Sequence, residues 1–285
     1  MSLAAAACAA ALAYFAFLAA ERAVLSRARG CVGTVVHVNG TRGKSETTRL
    51  LAAALRASGR PTLAKTTGTE SRLIFADGSE RRLRRFGAAD VREQRNLLIR
   101  AARSGASCLV AECMAVSAEA QAASDAFLSP DMLLVTNARP DHEAELGDAQ
   151  ATAAVFALLI PRGGTVLTAD GRLFPLLERE AAARGAKAYL SSPIEEPGLN
   201  AISDNAGLAL LAAELLGLDR AKALEGMKSF RPDPGAFAFR FLGATGGGAV
   251  LVADALAAND PESASRLLER VPRPVKGGPL LFIAA

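Results

Sequence analysis

Short β-branched runs alternate with alanine- and leucine-rich stretches of helical period from Gly33 onward. Such runs are typical of strands buried on both faces of a sheet, and the longer stretches are typical of the helices that cover it. The pattern predicts strands at 34–38, 61–65, 107–111, 132–136, 165–168 and 188–190, and helices at 47–57, 90–104, 149–159 and 205–216. This order predicts an α/β fold, with a mostly parallel sheet and helices on both of its faces.

An uncharged apolar segment from Ser2 to Ala20 precedes these units. As a helix it would be about 28 Å long, close to the ~30 Å hydrocarbon core of a bilayer. The nearest positive charges, beginning with Arg22, follow the segment instead of preceding it. This arrangement favours a single-pass anchor over a signal peptide. We expect the anchor in the inner (cytoplasmic) membrane, with the N-terminus outside and the catalytic domain in the cytoplasm. The alternative is a buried alanine-rich helix of a soluble domain.

A proline-rich stretch at 230–235 marks a predicted domain boundary. We therefore predict a transmembrane anchor at 1–22, a central α/β domain at 33–230 and a C-terminal domain at 236–285. In the C-terminal domain the pattern predicts a strand at 249–253, a helix at 261–269 and a strand at 280–284. Because this domain would end on an unpaired strand, we expect a partial, truncated Rossmann-like domain.

Composition excludes some classes of function. Hydrophobic residues make up 51% of the chain, tryptophan is absent, and aromatic residues are only 5%. Proteins that bind single-stranded nucleic acid stack bases on exposed rings, so this class is disfavoured. The net charge of +4 is partly local, because the sequence RRLRR occupies residues 81–85. That run would suit a polyanion, and a solvated hairpin or loop explains it at least as well. The four cysteines show no CxxC spacing, which favours a reducing compartment.

A glycine-containing loop between the first strand and the first helix is the strongest chemical signal. Its residues are Gly40, Thr41, Arg42, Gly43, Lys44, Ser45 and Glu46. In phosphate-binding loops the glycines let backbone N–H groups face phosphate oxygens, the lysine approaches the terminal phosphates and the serine hydroxyl binds Mg²⁺. The usual eight-residue form has its first glycine where this chain has Val38, so the spacing here is the shorter GxxGKS. Its position between strand and helix argues against an ordinary turn and predicts an ATP site.

Two residues near predicted strand ends are candidates to bind the metal. Glu112 ends a strand expected beside the loop strand, and a carboxylate there would suit Mg²⁺, although alone it would be an ordinary solvated strand end. His142 follows the next strand, at the carboxyl edge where open α/β sheets bind ligands. A second metal ligand and a loop-capping histidine remain equally supported for His142. His37 lies inside a strand, and we interpret it as a core residue with satisfied hydrogen bonds.

Six segments occur in an order that resembles a known family. They are HVNGTRGKSETTRL, KTTGTESR, AECMAV, the Asp-His pair at 141–142, SDNAGLAL and PDPGA. The order resembles that of the ligase subunit of poly-γ-glutamate synthases (the PgsB/CapB type), a branch of the Mur ligase superfamily. The resemblance extends from the apolar segment to the end of the chain, and KTTGT and ECMAV are specific to that branch.

The resemblance implies an ATP-dependent amide ligase with a Mur ligase-like, parallel-sheet central domain. In this reaction an acceptor carboxylate attacks the γ-phosphate of ATP, and the amine of glutamate displaces phosphate from the acyl phosphate. Repetition polymerises glutamate through γ-linkages as part of a membrane capsule-synthesis complex. The implied cofactors are ATP and Mg²⁺. The implied partners are glutamate, poly-γ-glutamate and other membrane subunits of the synthase; a homo-oligomer is left open, and no nucleic acid is expected.

The same resemblance assigns roles to individual residues. The implied catalytic residues are Lys44, Glu112 and His142. The implied metal-binding residues are Ser45, Glu112, His142 and Thr67. The residues implied to bind ATP in addition to the loop are Asn205 and Asp254, and weaker substrate candidates are Thr69, Arg72 and Arg240.

Two departures from the Mur ligase pattern affect these expectations. Residues 154–162 contain no lysine, where Mur ligases have a carbamoylated lysine that bridges to Mg²⁺. An apolar segment also stands where Mur ligases have a domain for a UDP-sugar, so a nucleotide-sugar peptide is not the expected substrate.

Two alternative functions remain. A folylpolyglutamate synthase-like ligase would act on a small soluble acceptor, which does not require a membrane anchor. A membrane-tethered P-loop ATPase would hydrolyse ATP without any dependence on glutamate.

Overall fold

A computed structural model describes residues 3–68, 70–85, 90–139, 148–233, 238–243 and 249–254, with residues 265, 268 and 271. The chain divides into two compact units, Met1–Arg231 and Pro232–Ala285. The predicted strand at 280–284 and most of the predicted helix at 261–269 lie outside the described residues.

The first unit consists of eight helices and eight strands among the described residues, which alternate along most of the chain. Its helices are α1 (Leu3–Cys31), α2 (Lys44–Ala57), α3 (Arg92–Arg103), α4 (Ala118–Leu128), α5 (Ala149–Leu158), α6 (Phe174–Ala183), α7 (Ser203–Leu215) and α8 (Arg220–Lys228). Its strands are β1 (Thr34–Asn39), β2 (Thr62–Thr66), β3 (Arg72–Ile74), β4 (Glu80–Arg82), β5 (Cys108–Glu112), β6 (Met132–Val135), β7 (Thr165–Thr168) and β8 (Lys187–Leu190).

The strands of the first unit form an eight-stranded sheet within the described residues, in the order β4-β3-β2-β5-β1-β6-β7-β8. Six of them, from β2 to β8 in this order, are parallel, and the hairpin β3–β4 adds two antiparallel strands at one edge. The predicted α/β fold with a mostly parallel sheet is therefore confirmed. Strands β5 and β6 are buried along their whole length, which explains their continuous apolar sequences.

Helices cover both faces of this sheet, and the alternation of side chains along β2 separates the two cores. Ala64 packs in the core formed with α2, α7 and α8, whereas its neighbour Leu63 packs with α1 and α3 on the other face. Successive residues of a strand point to opposite faces, so residues one apart belong to different cores. Lys65 therefore lies on the α3 face.

The predicted elements agree with the observed ones to within two residues at each end, except for α2 and α1. Helix α2 begins at Lys44 and not at residue 47, because Gly43 precedes it in a left-handed conformation and the loop continues directly into the first turn. The sequence pattern missed β3, β4, α4, α6, α8 and β9 (Ala238–Gly243). The missed strands β3 and β4 are each three residues long, and β4 is charged throughout, so period-two alternation is not visible in them.

Helix α1 extends beyond the predicted end of the anchor at residue 22, as one helix to Cys31. It is long and apolar enough to cross a membrane. Its large apolar side chains Leu12, Tyr14, Phe15 and Phe17 are 60–71% exposed. This exposure contradicts the alternative of a buried alanine-rich helix for the N-terminal part of α1.

The last part of α1 packs on the first unit. Arg95 of α3 hydrogen-bonds Glu21, and Ala28 is buried in the core beneath α3. Near the helix end, Arg29 donates to Asp131 Oδ1 at 2.5 Å and to the carbonyl of Ser129 at 2.8 Å. The apolar segment is therefore joined to the α/β unit by a continuous, anchored helix.

In the second unit, β9 and β10 (Ala249–Asp254) form an antiparallel pair. The predicted strand at 249–253 corresponds to β10. Arg240 lies in β9 and Asp254 ends β10.

Candidate active site

The loop between β1 and α2 requires glycine at two positions. Gly40 has φ +121°, and a β-carbon there would lie 2.1 Å from Oγ1 of Thr136. Gly43 has φ +86°, and a β-carbon there would lie 2.4 Å from Oδ1 of Asn205. Both positions combine a left-handed backbone with close neighbours, so no other residue fits without displacement. The loop backbone is therefore packed tightly as it leads into α2.

The segment after β6 holds this loop in place. The carbonyl of Asn137 accepts from the Thr41 amide at 3.0 Å, and the Asn137 side chain bonds both the N–H and the carbonyl of Arg42, at 3.1 and 3.0 Å. Thr41 Oγ1 accepts from the Arg139 amide at 3.0 Å and donates to the Arg139 carbonyl at 3.1 Å. These contacts fix the loop conformation before any ligand binds.

A buried amide pair fixes the entry into the loop. Asn39 Nδ2 donates to Gln121 Oε1 at 2.9 Å, and Asn39 Oδ1 accepts from the Gly40 amide at 2.8 Å. Asn39 and Gln121 are nearly inaccessible to solvent, so breaking the pair would leave buried polar atoms unsatisfied.

The beginning of α2 is electropositive. The first N–H groups of a helix have no partner within the helix, and the helix dipole places partial positive charge there. Lys44, the first residue of α2, folds its ammonium back over the loop and donates to the carbonyls of Gly40 and Thr41 at 2.6 and 3.2 Å. A loop and a lysine arranged in this way form an anion-binding site suited to phosphate groups.

Glu112 lies beside this site, at the end of β5. Strand β5 lies beside β1, as the sequence predicted, and Glu112 pairs in register with Val38. Its Oε2 accepts from the Ser45 hydroxyl at 2.9 Å and from the Thr67 amide at 2.7 Å. Burial raises the pKa of Glu112, while Lys44 and the hydrogen bonds from Thr67 and Ser45 oppose the rise. A buried carboxylate held against a serine hydroxyl is a donor set that Mg²⁺ prefers, and a cation there would offset the cost of its burial.

The structure brings together four of the predicted residues: Lys44, Ser45, Thr67 and Glu112. Among the described residues, no group of three or more His, Cys, Asp or Glu side chains could hold a metal by itself. A metal at Glu112 would therefore depend on the Ser45 hydroxyl and on oxygens of the ligand, as Mg²⁺ does in phosphate-binding loops.

Asn205, at the start of α7, also contacts the loop. Its Nδ2 donates to Oε2 of Glu46 at 2.6 Å, and its side chain lies directly against Gly43. This placement joins α7 to the phosphate loop; the predicted contact of Asn205 with ATP remains a prediction.

Arg72, a predicted substrate residue, has no ion pair with this group in the described part of the chain. Arg72 pairs with Glu70 at 2.5 Å and with Glu80 at 3.8 Å, on the edge hairpin. Thr69 and His142 lie outside the described residues, as do the side chains of Arg240 and Asp254.

His37 is only partly as expected. It is fully buried, but neither of its ring nitrogens makes a hydrogen bond of good geometry within the described residues. Instead, Nδ1 lies 3.5 Å from Oδ1 of Asp125, a distance that fits an ion pair better than a hydrogen bond. Burial alone would lower the pKa of His37, but Asp125 and Cys113 together raise it to about 9. The prediction that His37 is a core residue is confirmed, but the prediction that its hydrogen bonds are satisfied was wrong. Its charged neighbour Asp125 lies on α4, an element that the sequence pattern missed.

Sequence reasoning also missed several polar residues around the site. Asn137 and Arg139 stood in the segment after β6 but were given no role, and Gln121 and Lys65 were not considered. A polar residue directly after a parallel strand is a detectable signal for Asn137. Gln121 had no comparable signal, because its role depends on α4 packing beside β1.

Comparisons with known proteins agree with this arrangement. The profile of the Mur ligase middle domain family matches residues 38–203. The chain is 34% identical over 247 residues to "Capsule biosynthesis protein CapB" of Bacillus anthracis, covering 83% of this chain and 53% of that protein. It is 32% identical over 212 residues to "PGA synthase CapB" of Bacillus subtilis (strain 168), covering 70% and 54%. The chain thus spans about half the length of these relatives.

A solved structure with the same fold is that of E. coli FolC in complex with DHPP and ADP. It aligns with a TM-score of 0.59 and 18% identity, over 90% of this chain and 70% of that one.

Proposed function

This chain belongs to the Mur ligase family, and from that premise we propose that it is the ATP-dependent ligase of a membrane-bound poly-γ-glutamate synthesis system. The names of the two bacterial relatives, a capsule biosynthesis protein and a PGA synthase, support the polymer as product. The ADP bound to the related FolC fold supports ATP as the energy source.

The observation on which the proposal depends is the position of Glu112. Its carboxylate is 2% exposed, and it contacts both Ser45 at the start of α2 and the Thr67 amide after β2. A phosphate loop alone is common to many nucleotide-binding proteins. A buried carboxylate bonded to the serine of that loop adds the metal-binding group that phosphoryl transfer requires.

We assign the nucleotide phosphates to the N–H groups of the first turn of α2, with Lys44 over the terminal phosphates. Mg²⁺ bound at Ser45 and Glu112 would neutralise phosphate charge. Thr67 and His142 are the further proposed ligands, and Asn205 and Asp254 are proposed to contact ATP. Thr69, Arg72 and Arg240 remain proposed substrate contacts.

In the proposed reaction an acceptor carboxylate attacks the γ-phosphorus of ATP and ADP leaves, which produces an acyl phosphate. The amine of an incoming glutamate then attacks the acyl carbon, and inorganic phosphate leaves with the acyl–oxygen bonding pair. Both steps bring anions together, so the contributions required of the protein are positioning and charge neutralisation. Lys44 and the electropositive end of α2 provide the neutralising charge.

We also propose that α1 anchors the protein in the cytoplasmic membrane, with the N-terminus outside and the α/β unit in the cytoplasm. The arginines that follow the apolar part of α1 support this orientation. A polymer made at the inner surface must be exported, so other membrane subunits are proposed partners. Association of the chain with itself is also proposed.

The test is glutamate-dependent phosphate release by membranes carrying the protein, supplied with ATP, Mg²⁺ and labelled glutamate. Release should require glutamate and should be lost in Lys44→Ala, whereas Lys222→Ala, on the exposed side of α8, should behave like the parent. The labelled product should resist α-peptidases and be cleaved by γ-glutamyl hydrolase. Equal phosphate release without glutamate would refute the ligase and favour a tethered ATPase.

A further inference from the structure

A second cavity lies on the α3 face of the sheet, next to the edge hairpin. Its volume is about 310 Å³. The polar residues that line it are Lys65, Arg84, Arg85, Glu93, Asn96 and Arg100. We call this cavity the basic pocket. Its volume lies at the lower end of the range of small-ligand sites, and leucine side chains complete its wall.

The basic pocket has an excess of positive charge. Glu93 is the one carboxylate among its lining residues, and it is shared: its Oε2 lies 3.0 Å from Lys65 Nζ, and its Oε1 accepts from Arg85 Nε at 2.6 Å. Arg84 and Arg100 have no carboxylate partner within the described part of the chain. Among the described lining residues, four basic side chains therefore surround one acid, and two of the four, Arg84 and Arg100, have no carboxylate to neutralise them there.

Lys65 shows that this charge is not an ordinary solvated surface. Its side chain is 1% exposed, and lysine is almost never so deeply buried unless it is paired. Burial lowers the pKa of Lys65, and Glu93 opposes the shift. Lys65 and Glu93 are the more buried charged residues of the pocket, whereas Arg84 and Arg100 are exposed.

The basic pocket adjoins the candidate active site through two elements. Lys65 of β2 pairs in register with Ala111 of β5, the residue before Glu112. Gln94, which follows Glu93 on α3, donates its side-chain amide to the Glu112 carbonyl at 3.0 Å. Since neighbouring strands are about 4.8 Å apart, the backbone of Lys65 lies directly beside the strand that ends in Glu112.

The chemistry of the basic pocket selects its ligand. Guanidinium groups bind carboxylates in a planar, two-point geometry, so Arg84 and Arg100 suit a ligand with more than one carboxylate. The leucine side chains suit methylene groups between those carboxylates. None of the described residues that line the pocket is aromatic, so they offer bases no ring on which to stack.

We propose that the basic pocket binds the carboxylate-bearing end of the acceptor chain, a γ-linked oligoglutamate, beside the ATP site. This inference rests on the proposed function for the identity of the acceptor. Each γ-linked residue has a free α-carboxylate and two side-chain methylenes, which matches the guanidinium groups and the apolar wall.

The test measures binding without catalysis. Fluorescently labelled γ-linked tetraglutamate is titrated into the full chain in detergent, without ATP, at low and moderate salt. The double variant Arg84→Gln/Arg100→Gln should weaken binding by roughly ten-fold or more and reduce its salt dependence, because two charge-assisted contacts are lost. Arg103→Gln is the matched control, since Arg103 lies on the same helix outside the pocket and its substitution should leave binding unchanged.

Equal affinity of the double variant and the Arg103→Gln control would overturn the assignment. The assignment would also be overturned if a single-stranded oligonucleotide of equal charge bound more tightly than tetraglutamate and if the double variant lost that binding. Ligation assays separate the two proposals. If glutamate ligation is intact and the acceptor KM is unchanged in the double variant, the pocket assignment fails and the proposed function stands. If the parent protein does not ligate glutamate, but it binds tetraglutamate and only the double variant loses this binding, the pocket assignment stands and the proposed function fails.

Discussion

Replacing Gly43 with alanine tests whether the phosphate loop is as tightly packed as the structure shows. The substitution has two costs. The first is backbone strain, because Gly43 has φ +86°, and a non-glycine residue in this left-handed region costs about 1 kcal/mol. The second is a collision, because the new methyl group would lie 2.4 Å from Oδ1 and 2.7 Å from Nδ2 of Asn205.

The collision can be relieved only if Asn205 moves. Asn205 is 4% exposed and donates to the Glu46 carboxylate at 2.6 Å, a bond that its movement would break. A hydrogen bond to a charged group contributes about 2 kcal/mol, so Gly43→Ala should lower the free energy of unfolding by about 3 kcal/mol in total. Stabilisation by ATP should disappear as well, because the loop N–H groups would shift.

Gly59→Ala is the matched control. Gly59 has φ +78°, and a β-carbon there would meet no atom within 4 Å, so this substitution should cost only the strain, about 1 kcal/mol. For a unit of this size the difference of about 2 kcal/mol corresponds to roughly 4–8 °C in Tm, which thermal denaturation of the purified chain in detergent resolves.

A double-mutant cycle completes the test. In an Asn205→Ala background the collision is removed, so Gly43→Ala should then cost about as little as Gly59→Ala. If Gly43→Ala is no more destabilising than Gly59→Ala, or if its cost is the same with and without the Asn205 side chain, the packing of the loop against α7 is refuted.

Three further predictions concern charged groups. Because burial raises the pKa of Glu112, its ionised form lowers stability at neutral pH, and this cost is relieved as the pH falls through the raised pKa. Without Mg²⁺, Glu112→Gln should therefore be at least as stable as the parent at pH 7. Addition of ATP and Mg²⁺ should not raise the Tm of this variant, and a rise equal to that of the parent would contradict the metal-binding role of Glu112. The pKa of His37 is raised to about 9, so its contribution is complete below pH 6.5 and is lost as the pH rises through 9. We expect the free energy of unfolding, measured by chemical denaturation, to fall by about 2 kcal/mol between pH 6.5 and 9.5, a value that allows for the partial exposure of Asp125. Asp125→Asn should show no such loss, and identical pH profiles of the parent and this variant would disprove the ion pair. Asp131→Ala should lower the free energy of unfolding by about 1–2 kcal/mol, because Asp131 pairs with Arg29 at the end of α1 and accepts a hydrogen bond from a β1 amide. Asp131→Asn keeps an acceptor for that amide, so it should cost about half as much. Equal costs for the two Asp131 variants would assign no energy to the ion pair.

The sequence alone determined the α/β class of the first unit, its six parallel strands and the identity of its loop. Buried parallel strands and their covering helices show their periods in the sequence, because one face or both faces must be apolar. The glycine loop and Glu112 were also predictable. Residues that directly follow neighbouring parallel strands meet at one edge of the sheet, whatever the details of packing.

Only the tertiary structure decided which residues support that site. Asn137 bonds the loop from the segment after β6, and Gln121 of α4 bonds Asn39 at the entry into the loop, both across long separations in the chain. The basic pocket has the same origin, because Lys65 and Glu93 are paired only once α3 lies against β2. Hydrogen bonds and ion pairs between distant segments leave no period in the sequence, since a single polar residue looks the same whether it is solvated or buried against a partner. The phosphate loop was therefore determined by local sequence, whereas the contacts that hold it rigid were determined by the packing of the whole sheet.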